Sequence, residues 1–167
     1  EELMRPENLA LLGGNGADSF EKLTEEEIRT ALGDASGDVG TALSYALSKV
    51  GYPYSQELRD SGDYYDCSSL VYYAWKAAGV DISFGGSYSA AAQAQGLEQA
   101  GKSVPLEELQ PGDLIYFSFV HNGRYKNISH VAIYAGNGMI IEAANESTGV
   151  VYRKLHSWGS IVTVCRP

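Results

Sequence analysis

The stretch HVAIYAGNGMIIEAA, residues 130–144, limits the possible folds more than any other part of the chain. Two short apolar runs rich in β-branched residues flank an Asn-Gly pair, the strongest short-range signal for a β-hairpin. LQPGDLIYFSF (109–119) reads as a turn followed by a strand, and GVVYRKL (149–155) and SIVTVC (160–165) read as two more. The second half therefore predicts an antiparallel sheet of about five or six strands. The first half has a different period. Val39, Leu43, Ala46, Leu47 and Val50 recur at helical spacing, and Gly51 and Pro53 end that run. Leu70, Val71, Ala74, Trp75 and Ala78 form a second stripe that stops at Gly79, so a helix starts at or near Cys67 with Asp66, or Ser68 if shifted, as N-cap. SYSAAAQAQGLEQAG (87–101) holds a further short helix. Helices first and an antiparallel sheet after give an α+β fold with the helices packed on one sheet.

Residues 1–36 have another character. LLGGNGADSF and DASGDVG are rich in breakers, and KLTEEEIRTAL between them reads as a short helix capped by Thr24, with Glu25, Glu26 and Glu27 at its positive end. Its apolar residues are few, so this segment is expected to be a linker or peripheral piece, with the domain over 37–167. A chain of 167 residues is long enough for one well-formed core. The net charge of −9 argues against nucleic acid and anionic membrane as partners. No run of about 18 apolar residues occurs to span a bilayer. The opening EELMRP has neither an initiator methionine nor a basic leader, which suggests a fragment whose signal or anchor segment lies elsewhere.

Two cysteines do not make a disulfide framework, although a single Cys67–Cys165 bridge is conceivable. They and the three histidines lack the paired short spacings of zinc sites, so no metal and no cofactor is expected. The notable placement is Cys67 in YYDCSSLVYYAW (64–75). Free cysteine is usually a small buried apolar residue. At the first turn of a helix, however, unpaired backbone N–H groups and the helix dipole favour the thiolate, which is the nucleophile. A cysteine nucleophile also needs a base, and a third group to orient that base. His130 opens one strand of the hairpin. Glu142 stands inside the apolar run of the other, where a charge without a partner is costly. His121 and His156 read as surface residues, and Trp75, Trp158 and most of the tyrosines as core or cleft wall.

Hairpin register tests the His130–Glu142 pairing. A two-residue Asn137–Gly138 loop closed by Gly136 and Met139 sets Glu142 opposite Ile133, on the face away from His130. A three-residue loop moves the pairing by one and makes Glu142 a diagonal neighbour of His130, about 7 Å away and within reach of long side chains. The pairing thus predicts a three-residue loop with a glycine bulge.

DCSSLVYYAWKAAGV, LQPGDLIYF and HVAIYAGNGMIIEAA, in that order, resemble the signature segments of the NlpC/P60 cysteine peptidases, and ALSYALSKVGYPY resembles their opening helix with its Gly-x-Pro-Tyr. The resemblance covers roughly residues 40–165. It implies a papain-like α+β fold that hydrolyses stem peptides of bacterial peptidoglycan, commonly between D-glutamate and the following diamino acid. Cys67 matches the nucleophile and His130 the base. Tyr54 matches a tyrosine beside the active site. Asp66 and Ser68, with Ser69 grouped beside them, match residues that hold the stem peptide's free amino end. The implied enzyme works as a monomer outside the cytoplasm, secreted or associated with the cell wall.

The chain departs from the pattern in three places. The third catalytic position, usually histidine and sometimes asparagine or glutamine, is Glu142, and a carboxylate can equally orient the imidazole. SFGGSYS (83–89) lacks the arginine that members often carry there, and the loop between Tyr54 and Asp66 lacks the usual Gly-Gly. Two alternatives stay open: an amidase of the CHAP type, which uses Cys, His and Glu and which IEAAN resembles, and a non-catalytic peptidoglycan-binding module.

Overall fold

The structure, a computed structural model, describes residues 18–167. The tail before Asp18, including most of the glycine-rich LLGGNGADSF, lies outside the described residues. Among the described residues four α-helices precede five strands: α1 Glu25–Leu32, α2 Gly37–Ser48, α3 Cys67–Ala77 and α4 Ala90–Gln99, then β1 Leu114–Phe117, β2 His130–Gly136, β3 Met139–Asn145, β4 Gly149–Lys154 and β5 Ile161–Cys165. The strands form one antiparallel sheet in the order β4-β3-β2-β1-β5. This is the α+β arrangement the sequence predicts.

Alternation along the strands sorts the side chains onto two faces. Val131, Ile133, Ala135, Ile141 and Ala143 join the buried stripe of α2 (Ala42, Leu43, Ala46, Leu47) and of α3 (Leu70, Val71, Ala74, Trp75) in the main core. On the opposite face Ile115, Phe117, Ala132, Tyr134 and Ile140 form a smaller cluster, covered by Val104, Leu106, Leu109, Trp158 and Ile161. The peripheral segment carries α1, closed by a capping box between Thr24 and Glu27. Ile28, Ala31 and Leu32 pack against the main core and Leu23 is buried in it.

Two local features carry the site. Gly149 has φ +67°, and a Cβ there would stand 2.3 Å from the Tyr52 carbonyl oxygen. That close approach lets Val150 N–H donate to Tyr52 O at 2.9 Å and Gly51 N–H to Val150 O at 2.9 Å, fixing the loop that leads to Tyr54 against edge strand β4. The second feature is the β2–β3 hairpin. Its loop is the two-residue Asn137–Gly138 turn, closed by Gly136 opposite Met139, and not the three-residue loop expected. Both loop residues have positive φ, 54° and 77°, as a primed turn requires. The register then shifts at a bulge between Tyr134 and Gly136, where Gly136 takes φ +90°. Beyond the bulge Ile133 opposes Ile141 and Tyr134 opposes Ile140, the register that makes Glu142 a diagonal neighbour of His130. The glycine bulge supplies the shift that the loop length does not.

Candidate active site

Asp66 is the N-cap of α3. Its Oδ1 accepts from Ser69 N–H at 2.9 Å, and Asp66 N–H donates to Ser69 Oγ at 2.9 Å, a complete capping box. Cys67 is therefore the first residue of the helix and sits among backbone N–H groups without helical partners, at the positive end of the dipole. It is partly exposed and lines a cleft of ≈ 350 Å³ together with Gln56, Arg59, Ser68, Arg124 and Ser129. Cys165 lies buried at the end of β5, and both thiols are free, so the conceivable bridge is not formed. Burial pushes the Cys165 thiol up to about 11, as in an inert core cysteine.

His130 opens β2 and is buried. Its Nε2 meets Glu142 Oε1 at 2.6 Å, and the Cys67 side chain at the head of α3 acts on the ring by its charge and by hydrogen bonding. Burial opposes a charged imidazole, but the hydrogen bonds and negative charge of Cys67 and Glu142 prevail and push its pKa up to about 9. Phe117 and Phe119 flank the ring, with centroids 5.5 and 5.8 Å away.

Glu142 is 1% exposed, and burial alone would raise its pKa. Hydrogen bonds and charge from His130 and His156 instead hold it well below the usual carboxylate range. Its second oxygen, Oε2, accepts from Arg153 Nε at 2.7 Å and meets His156 Nε2 at 2.6 Å. Sequence reasoning missed both partners. His156, read as a surface residue, is half-buried: it stacks on Phe117 at 6.1 Å and meets Ser157 Oγ through Nδ1 at 2.8 Å. The signal available was Glu142 itself, since a carboxylate in an apolar strand demands cationic partners, but nothing in the local pattern says which. His121 is exposed, as expected.

The expected substrate-binding residues divide. Tyr54 pairs with Tyr65 in an isolated parallel bridge, and burial, then the negative charge of Cys67 and Asp66, raises the pKa of its hydroxyl. Asp66 and Ser68 line the cleft. Ser69 does not: it is fully buried, and its hydroxyl is spent in the capping box, so its assignment to substrate is corrected to helix capping. Beneath the cleft, buried Gln93 of α4 donates to Ser68 O at 3.0 Å and Tyr88 O at 2.7 Å and accepts from the Tyr116 hydroxyl at 3.0 Å, tying α3 and α4 to β1. Among the described residues, no cluster of three His, Cys, Asp or Glu side chains is arranged to hold a metal ion.

The model of the NlpC/P60 family matches residues 51–165, which span every element from Tyr54 to β5. The chain belongs to the NlpC/P60 family. It is 32% identical over 127 residues to a probable endopeptidase of Mycobacterium tuberculosis, covering 76% of this chain and 29% of that one. It is 32% identical over 140 residues to the gamma-DL-glutamyl hydrolase of Bacillus subtilis, covering 83% of this chain and 31% of that protein. The chain thus spans less than a third of the length of these relatives. Among solved NlpC/P60 structures, the peptidoglycan hydrolase RipB of Mycobacterium tuberculosis superposes with a TM-score of 0.59 at 28% identity, over 99% of this chain and 79% of that one.

Proposed function

We propose that this NlpC/P60 domain is a thiol peptidase that hydrolyses peptidoglycan stem peptides at the γ-D-glutamyl bond to the diamino acid, with Cys67 as nucleophile, His130 as acid and base, and Glu142 as orienting group. The observation that carries this reading is the 2.6 Å contact of buried Glu142 with His130, whose imidazole also feels the Cys67 side chain at the head of α3. That is the arrangement an acyl transfer requires. Cys67 passes its proton to His130, and the sulfur attacks the amide carbonyl carbon. Backbone N–H groups at the start of α3, with Tyr54 as a further donor, receive the developing oxyanion. His130 then protonates the leaving amine, takes a proton from water, and the thioester is hydrolysed. The raised pKa of His130 favours the imidazolium that, once formed, donates to the leaving group.

The relatives named gamma-DL-glutamyl hydrolase and peptidoglycan hydrolase support the bond and the polymer. Such a substrate supports action outside the cytoplasm, secreted or at the wall. Among the described residues no helix is long and apolar enough to cross a membrane.

The test is a digest of purified peptidoglycan read by mass spectrometry. Stems cut after D-glutamate are expected, and Cys67→Ala is expected to release none while melting at the wild-type temperature. Whole stems beginning with L-alanine would instead identify an amidase. Binding without release would identify a non-catalytic module.

A further inference from the structure

The segment 83–89, which lacks the arginine common in the family, contributes Ser89 to the lining of the cleft, and Tyr88 next to it holds an arginine from elsewhere. Arg59 comes from the loop between Tyr54 and Asp66, and its guanidinium lies over the Tyr88 ring at 4.4 Å. The Tyr88 hydroxyl is itself fixed by Asp60, which also accepts from Tyr73 at 2.6 Å. Held in this way, Arg59 Nη1 donates to Asp66 Oδ2 at 3.1 Å and reaches Ser68 Oγ at 3.5 Å. The other oxygen of Asp66 is occupied as well, by Ser69 N–H at 2.9 Å and by Ser68 Oγ at 3.4 Å. Asp66 is 3% exposed and is the one acidic residue among those lining the cleft.

An ammonium group seeking Asp66 would have to expel a guanidinium from a buried carboxylate and strip it from an aromatic face. Arg59 is partly exposed, but an ammonium regains only the charge of the pair and not the hold on the aromatic face. The cleft therefore offers a blocked amino end what such an end needs. Gln56, Ser89 and Ser129 line it as neutral polar groups, and Arg124 adds a second positive charge.

We propose that Arg59 closes the amine-binding position at Asp66 and Ser68, so that the enzyme takes stem peptides whose amino end is acylated, as in a stem still joined to its polymer, in preference to free peptides bearing an ammonium. This inference rests on the peptidase reading above. It assigns Arg59 as a specificity-determining residue, with Tyr88 and Asp60 as the groups that position it.

The experiment compares kcat/KM of the wild-type protein on one defined peptide, L-alanyl-γ-D-glutamyl-diamino acid, with a free and with an acetylated amino end. The wild type is expected to cut the acetylated peptide at least as fast as the free one. Arg59→Gln frees the Asp66 carboxylate and is expected to shift the ratio toward the free amine by about 10-fold or more, the worth of one hydrogen bond to a charged group. In Arg59→Gln with Asp66→Asn, which keeps a good N-cap for α3, that gain is expected to vanish. A wild-type preference for the free amine of about 10-fold or more overturns the proposal, and so does an unchanged ratio in Arg59→Gln. Should the variants fail to fold, the wild-type ratio alone decides. Failure to cut either peptide, by contrast, removes the peptidase reading itself.

Discussion

Asp66 and Glu142 stand on opposite sides of the Cys67–His130 pair, one at the head of a helix and the other inside a strand. Both are buried and both have each oxygen occupied. They are saturated in different ways. Asp66 spends one oxygen on the backbone of its own helix and the other on a loop arginine, so its charge is neutralised toward the cleft. Glu142 spends one oxygen on the His130 imidazole and the other on Arg153 and His156. Its charge is thus shared between His130 and two donors behind it. The lesson concerns donors more than carboxylates: the identity and origin of the second partner decide whether a buried acid builds a helix, screens a substrate or braces a base.

The comparison breaks first at Glu142. Replacing it by Gln removes the charge that holds the imidazolium, and kcat is expected to fall about 10³–10⁴-fold, with the peptide-cleavage assay as the measure. The alkaline limb of the pH–rate profile, set near 9 by His130 in the wild type, is expected to move to lower pH in the same variant. An unchanged limb would show that the carboxylate does not act on the ring.

His156→Ala and Arg153→Met come next. Each removes one charged donor from Oε2 and is expected to cost about 10-fold in kcat, with partial recovery in His156→Gln and Arg153→Lys. A merely structural pair would lower the melting temperature and leave kcat of the folded fraction intact.

On the helix side the effects are smaller and of another kind. Ser69→Ala removes one half of the capping box and is expected to destabilise the fold by about 1 kcal/mol, read by thermal melting, without changing KM. A raised KM would return Ser69 to the substrate.

The last effect, read as stability and not as rate, is its pH dependence. The folded-state pKa of His130 is raised above the ordinary imidazole value of about 6.5, so its contribution is complete below that value and is lost as pH rises through about 9. Glu142 has the opposite sign: its lowered pKa stabilises above the ordinary carboxylate value, and that contribution is lost on acidification. The melting temperature is expected to drop by a few degrees between pH 6.5 and 9.5, as far as His130 sets it, and to drop less in Glu142→Gln.

Most of this architecture is legible in the sequence because short-range signals write it. The cap Asp66, the apolar stripe behind it and the Gly79 stop locate α3 and thereby Cys67. Strand alternation and Asn-Gly locate the hairpin, and the need of Glu142 for a partner points to His130. The bulge at Ala135 escapes, because a two-residue loop followed by a bulge gives the same register beyond it as a longer loop. Arg153, His156 and Arg59 escape for a different reason. They arrive from a neighbouring strand, the loop beyond it and a polar loop with no periodicity, and only the folded chain shows which acid each one meets. Ser69 misleads because its place in the motif is adjacent to the cleft while its hydroxyl turns inward.

The central claim is that His130 activates the Cys67 sulfur at the head of α3, and alkylation tests it without any substrate. With iodoacetamide at pH 6.5 and peptide mapping of both cysteines, Cys67 of the wild type is expected to be modified at least about 10-fold faster than Cys67 of His130→Ala, with Cys165 unmodified in the folded protein. Equal rates at Cys67 in the two proteins would contradict the account.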